Sequence, residues 1–395
     1  MAGEKSNVEG KRCVVTGGSG FVGQRLVEML IERGAAHVVS FDIAPKPRDA
    51  LEDARIDYVQ GDLRDRDTVF GVVEGADCVW HIAAAVGPYH PVELYKQVNY
   101  GGTVHVIDAC RHHGCHKIVM SSSPSTRFDG SDVDGLTEAE MPTIPQKSYL
   151  QVYAETKAMG EKAMTDACDV DGTGDGLLTV AVAPHQVYGP RDNLFMPNIL
   201  EAAGTGRLRV FGAGDNRVCF SHVDNYCHGL ILAEAALVPG SAALGQFYIV
   251  TDGATHTDSR GCTRFWDAID ETIVGMGFPS IRQKWHLPYW LIMGLAYLCA
   301  LIEAVSGVRL KLNPFSVRML TMHRWFNIDK AQTDLGYEPI IPFDEGWKQT
   351  TAWFREHWLP NFDSRQAAYM GDIARQSADK IDLQSGNVQT AKKRD

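Results

Sequence analysis

Residues 11–45, KRCVVTGGSGFVGQRLVEMLIERGAAHVVSFDIAP, constrain this chain more than any other stretch. Cys13-Val14-Val15 is a short apolar run suited to a strand buried on both faces. A glycine cluster follows, and then Phe21, Val22, Leu26, Met29 and Leu30 recur at helical spacing up to Gly34, which can end a helix. A second apolar run, Val38 to Phe41, stops at Asp42. Strand, glycines, helix, strand and acid in this order describe a dinucleotide-binding unit. Gly17, Gly20 and Gly23 would let the chain turn tightly and bring a pyrophosphate against the free N–H groups of the first helical turn, at Phe21 and Val22. Asp42, 19 residues past Gly23, stands where a carboxylate bonds the adenosine ribose and repels a 2′-phosphate, so NAD is expected over NADP.

The alternation continues through the first half. Asp57-Tyr58-Val59 reads as a strand ending near GDLRD, and Asp62 and Leu63 either lie beside the adenine or, for Asp62, cap the helix expected at about 65–73. Residues 77–85, DCVWHIAAA, make a buried strand running into small residues, and Ala83 and Ala84 allow close approach of a dinucleotide. A helix over 91–113, a strand at 117–123 ending in three serines, the helix around 148–163 and a strand at 177–184 ending at Pro184 follow. The fold class is therefore α/β, a doubly wound parallel sheet with ligands at the carboxyl ends of its strands.

In SYLQVYAETKAMGEKA, residues 148–163, Tyr153 and Lys157 lie four apart, on one helix face. An ammonium beside a phenol favours the phenolate and would lower its pKa, which makes a candidate acid/base; the plain alternative is a surface pair.

These motifs together are similar to the extended short-chain dehydrogenase/reductase family. TGGSGFVG, Asp42, GDLRD, HIAA, VNYGGT, SSS, Tyr153-x-x-x-Lys157, VYGPRD and FSHVDN occur in the family's order over about residues 12–340. Within it the chain resembles the 3β-hydroxysteroid dehydrogenase branch, through SSPSTRFDGSDVDGLTE, the APHQVYGPRDNLF stretch and WHLPYW, and most of all the members that oxidise and decarboxylate sterol 4α-carboxylates. The resemblance implies Tyr153 as the acid/base and Lys157 as the residue that holds the nicotinamide ribose and acidifies the phenol. It implies Ser123 as the hydroxyl that orients the substrate oxygen, with Ser122 and Ser125 as neighbouring alternatives. Gly17, Gly20, Gly23, Phe21, Val22, Asp42, Asp62, Leu63, Ala83, Lys157 and Pro184 would line the NAD site. Ala183 and Pro124 depart from the family's commoner arginine and alanine. The implied reaction is NAD-dependent oxidation of a sterol or steroid 3β-hydroxyl, with loss of a 4α-carboxylate as carbon dioxide; Arg191 or Arg217 would pair with that carboxylate, or serve as a surface or phosphate contact. A plain 3β-hydroxysteroid dehydrogenase, a sugar-nucleotide epimerase or dehydratase, and a non-catalytic NAD-sensing scaffold are the alternatives. A homodimer through the helices at 91–113 and 148–168 is a further implication.

Composition narrows partners. The net charge of −11 argues against nucleic acid. Nine scattered cysteines, none in a C-x-x-C pair, read as reduced thiols in the cytosol or on a cytosol-facing surface, and the polar start MAGEKSNVEGKR lacks a secretory signal. The cluster CRHHGCH, 110–116, falls at a helix end that Gly114 can close, where histidines suit the dipole; a metal site is not expected.

Residues 1–185 are expected to form the NAD-binding domain, with segments near 217–250 returning to it, and 186–360 a smaller substrate lobe. Inside the lobe, 287–308 is apolar but for Glu303 and is flanked by Arg282, Lys284, Arg309 and Lys311 and by Trp285, Tyr289, Trp290 and Tyr297. It fits a buried helix, a helix lying in the membrane surface, or a short span; a bilayer-dwelling sterol favours the second. Membrane-surface association follows, on the cytosolic face of the endoplasmic reticulum, with a plain cytoplasmic location as alternative. Residues 361–395 read as a disordered tail whose last four residues, KKRD, have the shape of a dilysine retrieval signal.

Overall fold

A computed structural model describes residues 8–87, 90–171, 176–306 and 312–363, with the short strand pair 381–382 and 387–388. The KKRD end and most of the expected tail lie outside the described residues.

The glycine-punctuated alternation builds β1 (Arg12–Thr16), β2 (His37–Asp42), β3 (Ile56–Gln60), β4 (Cys78–His81) and β5 (Lys117–Ser121). The chain then leaves through β6 (Val133–Leu136), returns with β7 (Leu178–Pro184), leaves through β8 (Val187–Tyr188), β9 (Arg217–Val218) and β10 (Ser221–His222), and returns with β11 (Phe247–Val250). The seven-stranded sheet has the order β11-β7-β5-β4-β1-β2-β3 and is parallel throughout. Neighbouring residues of one strand feed opposite cores: Cys13 and Val15 pack with the Phe21–Glu32 and Val223–Ala236 helices, while Val14 packs with the Arg66–Val73 and Thr103–His113 helices. This two-sided burial is why the strands read as unbroken apolar runs.

The helix expected over 91–113 is one helical run of changing pitch. Val92–Tyr95 is α-helical, Lys96–Gly102 is a π-turn and Thr103–His113 is α-helical, closed by Gly114 in the left-handed region. His112 and His113 pack on the Phe70 ring. The cap of the Arg66–Val73 helix is Asp65, which accepts from the Asp67 and Thr68 N–H groups; Asp62 does not fill that role.

β12 (Thr263–Arg264) and β13 (Arg324–Phe326) complete a second sheet of order β12-β9-β13-β6. Thus β6, although it lies in the first half of the sequence, belongs with the lobe, and β9 does not return to the central sheet. The lobe has its own aromatic core around Tyr188, Phe220, Phe265, Trp266, Phe343 and Trp347. At the open edge of the central sheet, Glu138 accepts the Ile249 N–H of β11 at 2.8 Å.

The apolar segment forms the helix Tyr289–Ser306. Val210 and Gly212 pin its entrance through backbone hydrogen bonds to Leu287 at 2.9 Å each. Ile292, Met293 and Ala296 are buried against Val317, Phe211 and Leu312. The rest faces outward: Trp290 is 74% exposed and Val305 83%, with Tyr297, Leu298 and Leu301 also exposed. Among the described residues no helix is long and apolar enough to cross a membrane, and 307–308 of the segment lie outside them; full burial fails, because Trp290, Tyr297, Leu298, Leu301 and Val305 are exposed.

Candidate active site

The residues singled out from the sequence fall in one row along a single rim of the central sheet. Gly17 follows β1, Asp42 ends β2, Asp62 lies two residues past β3, Ala83 two past β4, Ser123 two past β5, and Pro184 ends β7. This is the carboxyl rim of every strand, where open α/β sheets bind ligands.

At the amino-terminal end of the row the backbone is packed to glycine tolerance. Gly17 has φ +75°, and a Cβ there would sit 2.8 Å from the backbone of Ala83. A Cβ at Gly23 would overlap the Gly17 carbonyl. The Phe21–Glu32 helix starts at Gly20 with no side-chain cap and no acidic residue in its first turn, so the N–H groups at Phe21 and Val22 keep their anion-binding character. Asp42 ties the loop to β2, accepting the Ser19 N–H at 3.0 Å and the Ala44 N–H at 2.8 Å. Burial raises its pKa against the pull of those bonds, and its remaining lone pairs suit ribose hydroxyls. Asp62 is held by Arg64, at 2.9 Å from Nε, and Leu63 is buried with its carbonyl 2.8 Å from His105 Nδ1. These features fit a dinucleotide: the close approaches exclude side chains where a phosphate must come near, and an acid stands at the end of the neighbouring strand.

The other end is built on the Val152–Asp166 helix. Gly160 lets this helix close on the π-turn; a Cβ there would sit 2.5 Å from the Asn99 carbonyl. Behind the site Asn99 bonds Ala85 N–H at 2.7 Å and Thr156 at 3.1 Å, while His81 bridges Thr16 and Thr103 at 2.8 and 2.9 Å. Burial, then the charge of Lys157, pushes His81 down to about 3, so it works here as a neutral ring.

Lys157 is 2% exposed and donates to the Ser121 carbonyl at 2.6 Å. Burial lowers its pKa to about 8, opposed by the carboxylate of Glu161. The Tyr153 ring meets Tyr95 edge-on at 6.5 Å, and its phenol is hydrogen-bonded to Ser123. Burial raises the phenol to about 12 against that hydrogen bond. The phenol is thus shifted in the direction opposite to that expected from the spacing, while the ammonium is engaged by the Ser121 carbonyl. Ser123 also pairs with Ser125 at 2.8 Å, while Ser122 is turned to Glu161 at 2.6 Å, which separates the three candidate hydroxyls.

Sequence reasoning missed Glu161, which also pairs with Arg127 and so anchors the loop after β5. Its signal was present: Tyr153, Lys157 and Glu161 repeat at four-residue spacing. Of the arginines considered for a carboxylate, Arg191 is engaged bidentately by Glu28 at 2.7 and 2.8 Å, and Arg217 lies on the lobe 3.6 Å from Asp134.

The chain is 35% identical over 360 residues to the 3β-hydroxysteroid-dehydrogenase/decarboxylase isoform 1 of Arabidopsis thaliana, covering 86% of this chain and 78% of that one. It is 32% identical over 349 residues to the sterol-4-alpha-carboxylate 3-dehydrogenase, decarboxylating, of Mus musculus, covering 87% and 91%. In fold it is similar to a double mutant of DesIV, a dTDP-glucose 4,6-dehydratase from Streptomyces venezuelae solved with NAD, with a TM-score of 0.64 at 20% identity over 88% of this chain and 97% of that one. Residues 14–268 match the 3-beta hydroxysteroid dehydrogenase/isomerase family, and the chain belongs to it.

Proposed function

We propose that this protein oxidises the 3β-hydroxyl of a sterol to the ketone with NAD, and that a carboxylate at C4 leaves as carbon dioxide in the same turnover. The observation that carries the reading is the convergence of Tyr153, Ser123 and Lys157 at the end of β5 in a chain whose relatives are named for this chemistry. The glycine turn, the first-turn N–H groups at Phe21 and Val22, Asp42, Asp62, Leu63, Ala83 and Pro184 would hold NAD, and when bound NAD supplies the electrophilic, positively charged ring that accepts hydride.

In this reading Ser123 orients the substrate oxygen and Tyr153 takes the hydroxyl proton. Lys157 adds positive charge beside the phenol and binds ribose. With the phenol at about 12 Tyr153 holds its proton at neutral pH, while Lys157, at about 8, stays mostly charged there and favours the phenolate. A 4α-carboxylate is β to the new ketone; the electrons left by departing carbon dioxide enter that carbonyl, and no further catalytic group is required.

The outward row of the Tyr289–Ser306 helix supports a membrane-surface location: Trp290, Tyr297, Leu298, Leu301 and Val305 form an apolar face beside Trp285. We read this helix as lying in the headgroup layer, where the substrate is dissolved.

One assay tests the reading. NAD is offered with a 4α-carboxysterol, a simple 3β-hydroxysteroid and a UDP-sugar, and NADH and carbon dioxide are measured. NADH with both steroids and carbon dioxide with the first is the expected result. Turnover of the UDP-sugar alone would replace the reading by sugar-nucleotide chemistry, and no turnover at all would return the NAD-binding scaffold.

A further inference from the structure

Arg324, the first residue of β13, is 8% exposed and has no anionic partner among the described residues. Its Nη2 donates to the Met319 carbonyl at 2.8 Å, at the end of the Pro314–Thr321 helix, and its Nη1 faces His185 Nε2 at 3.3 Å. Its Nε is buried without a hydrogen-bond partner. His185 does not supply the missing charge. Its other nitrogen bonds the Cys219 carbonyl at 2.8 Å, and burial, followed by the Arg324 charge, pushes it down to about 3, so the ring is neutral. An arginine cannot shed its proton as a lysine can, and a buried cation without an anion is among the costlier arrangements in a folded chain.

The place of this residue gives that arrangement a use. His185 directly follows Pro184, at the carboxyl end of β7. Phe326, on the same strand as Arg324, stacks on Phe128 at 6.3 Å, and Phe128 closes the turn that begins at Ser123. The guanidinium thus lies against the segment leaving β7, on a strand whose Phe326 touches the segment leaving β5, and these two neighbouring strands end at the reaction side of the rim. Arg191 and Arg217 already face carboxylates, whereas among the described residues Arg324 faces His185 and a backbone carbonyl.

We propose that Arg324 receives the carboxylate of the substrate, which takes the place of the neutral His185 ring on its guanidinium. The residue then selects 4-carboxylated 3β-hydroxysterols over 3β-hydroxysteroids that lack the group. This rests on the function proposed above and names the residue that would distinguish its two steroid forms. The contact to Met319 is a separate, structural role, since it caps a helix whatever the substrate.

Two measurements test it. With the wild-type enzyme, a 4α-carboxysterol should bind at least about tenfold more tightly than its methyl ester, the scale of one charged hydrogen bond; equal affinities would overturn the proposal however the variants fold. Arg324→Met should raise KM for the carboxysterol by about 10- to 100-fold, leave kcat/KM for a non-carboxylated 3β-hydroxysteroid within about twofold, and Arg324→Lys should recover part of the loss. An equal loss on both substrates would reduce Arg324 to a helix cap and leave the proposed function standing. Failure of the wild type to oxidise either steroid would instead remove the function, and this inference with it.

Discussion

The helix Val152–Asp166 carries a lysine and a glutamate in its interior row, while the helix Tyr289–Ser306, far more apolar, presents tryptophan, tyrosine, leucine and valine to the outside. Each inverts what hydrophobicity alone would choose. Burying Lys157 costs free energy, and it is tolerated because the ammonium meets the Ser121 carbonyl and the field of Glu161. Exposing Trp290 and Val305 forgoes burial that a folded chain ordinarily takes. The difference teaches that the two departures serve different surroundings: one helix is shaped by a reacting group inside, the other by an apolar phase outside.

That contrast can be broken most sharply at Tyr153. Tyr153→Phe should lower kcat by about 10²–10⁴-fold while NAD binding persists, since only the transferable proton is lost; near-normal NADH formation would leave the buried helix without its reason. On the exposed helix, Leu298→Glu together with Leu301→Glu should weaken liposome binding by about 10- to 100-fold and leave turnover of a detergent-dissolved steroid unchanged. Unaltered flotation with lipid would mean that this face meets something else.

The cost of the buried ammonium can be read directly. Its pKa falls from the ordinary 10.5 to about 8 on folding, so between those values the unfolded chain holds more protons and wild-type stability rises with pH. Lys157→Met escapes the cost. It should be more stable than wild type by about 3 kcal/mol at pH 7, with the gap closing towards pH 10, although it is inactive. A gap independent of pH would assign the effect to packing. Least in size, Asp42→Ala should shift the preference for NAD over NADP by about tenfold, measured as a ratio of kcat/KM values; an unmoved ratio would take Asp42 out of the ribose site.

What the sequence disclosed divides along similar lines. The strands, the glycine turn and the Tyr153–Lys157 face were legible because each depends on neighbours within a few residues. Asp65 displaced Asp62 as a helix cap, a three-residue ambiguity that local pattern leaves open. β6 was not legible as a lobe strand: VDGL has no alternation, and Gly135, at φ +83°, packs against the Trp325 ring from a distant part of the chain. Arg324 escaped notice for the same reason, since only the folded chain shows that an arginine in HRWF is enclosed beside His185 and meets no carboxylate among the described residues. The direction of the Tyr153 pKa was misjudged because spacing reveals a neighbouring charge but not the enclosure that works against it.

The carboxylate of Glu138 on the Ile249 N–H has a bearing on whether another strand can add to the sheet. β11 is the last strand of the seven, and an open strand margin invites recruitment of a foreign strand, the first step to fibrous association. The Glu138 side chain seated on that margin already takes the Ile249 N–H that an invader's carbonyl would need. Growth of the sheet by addition of a foreign strand is thereby disfavoured on this side.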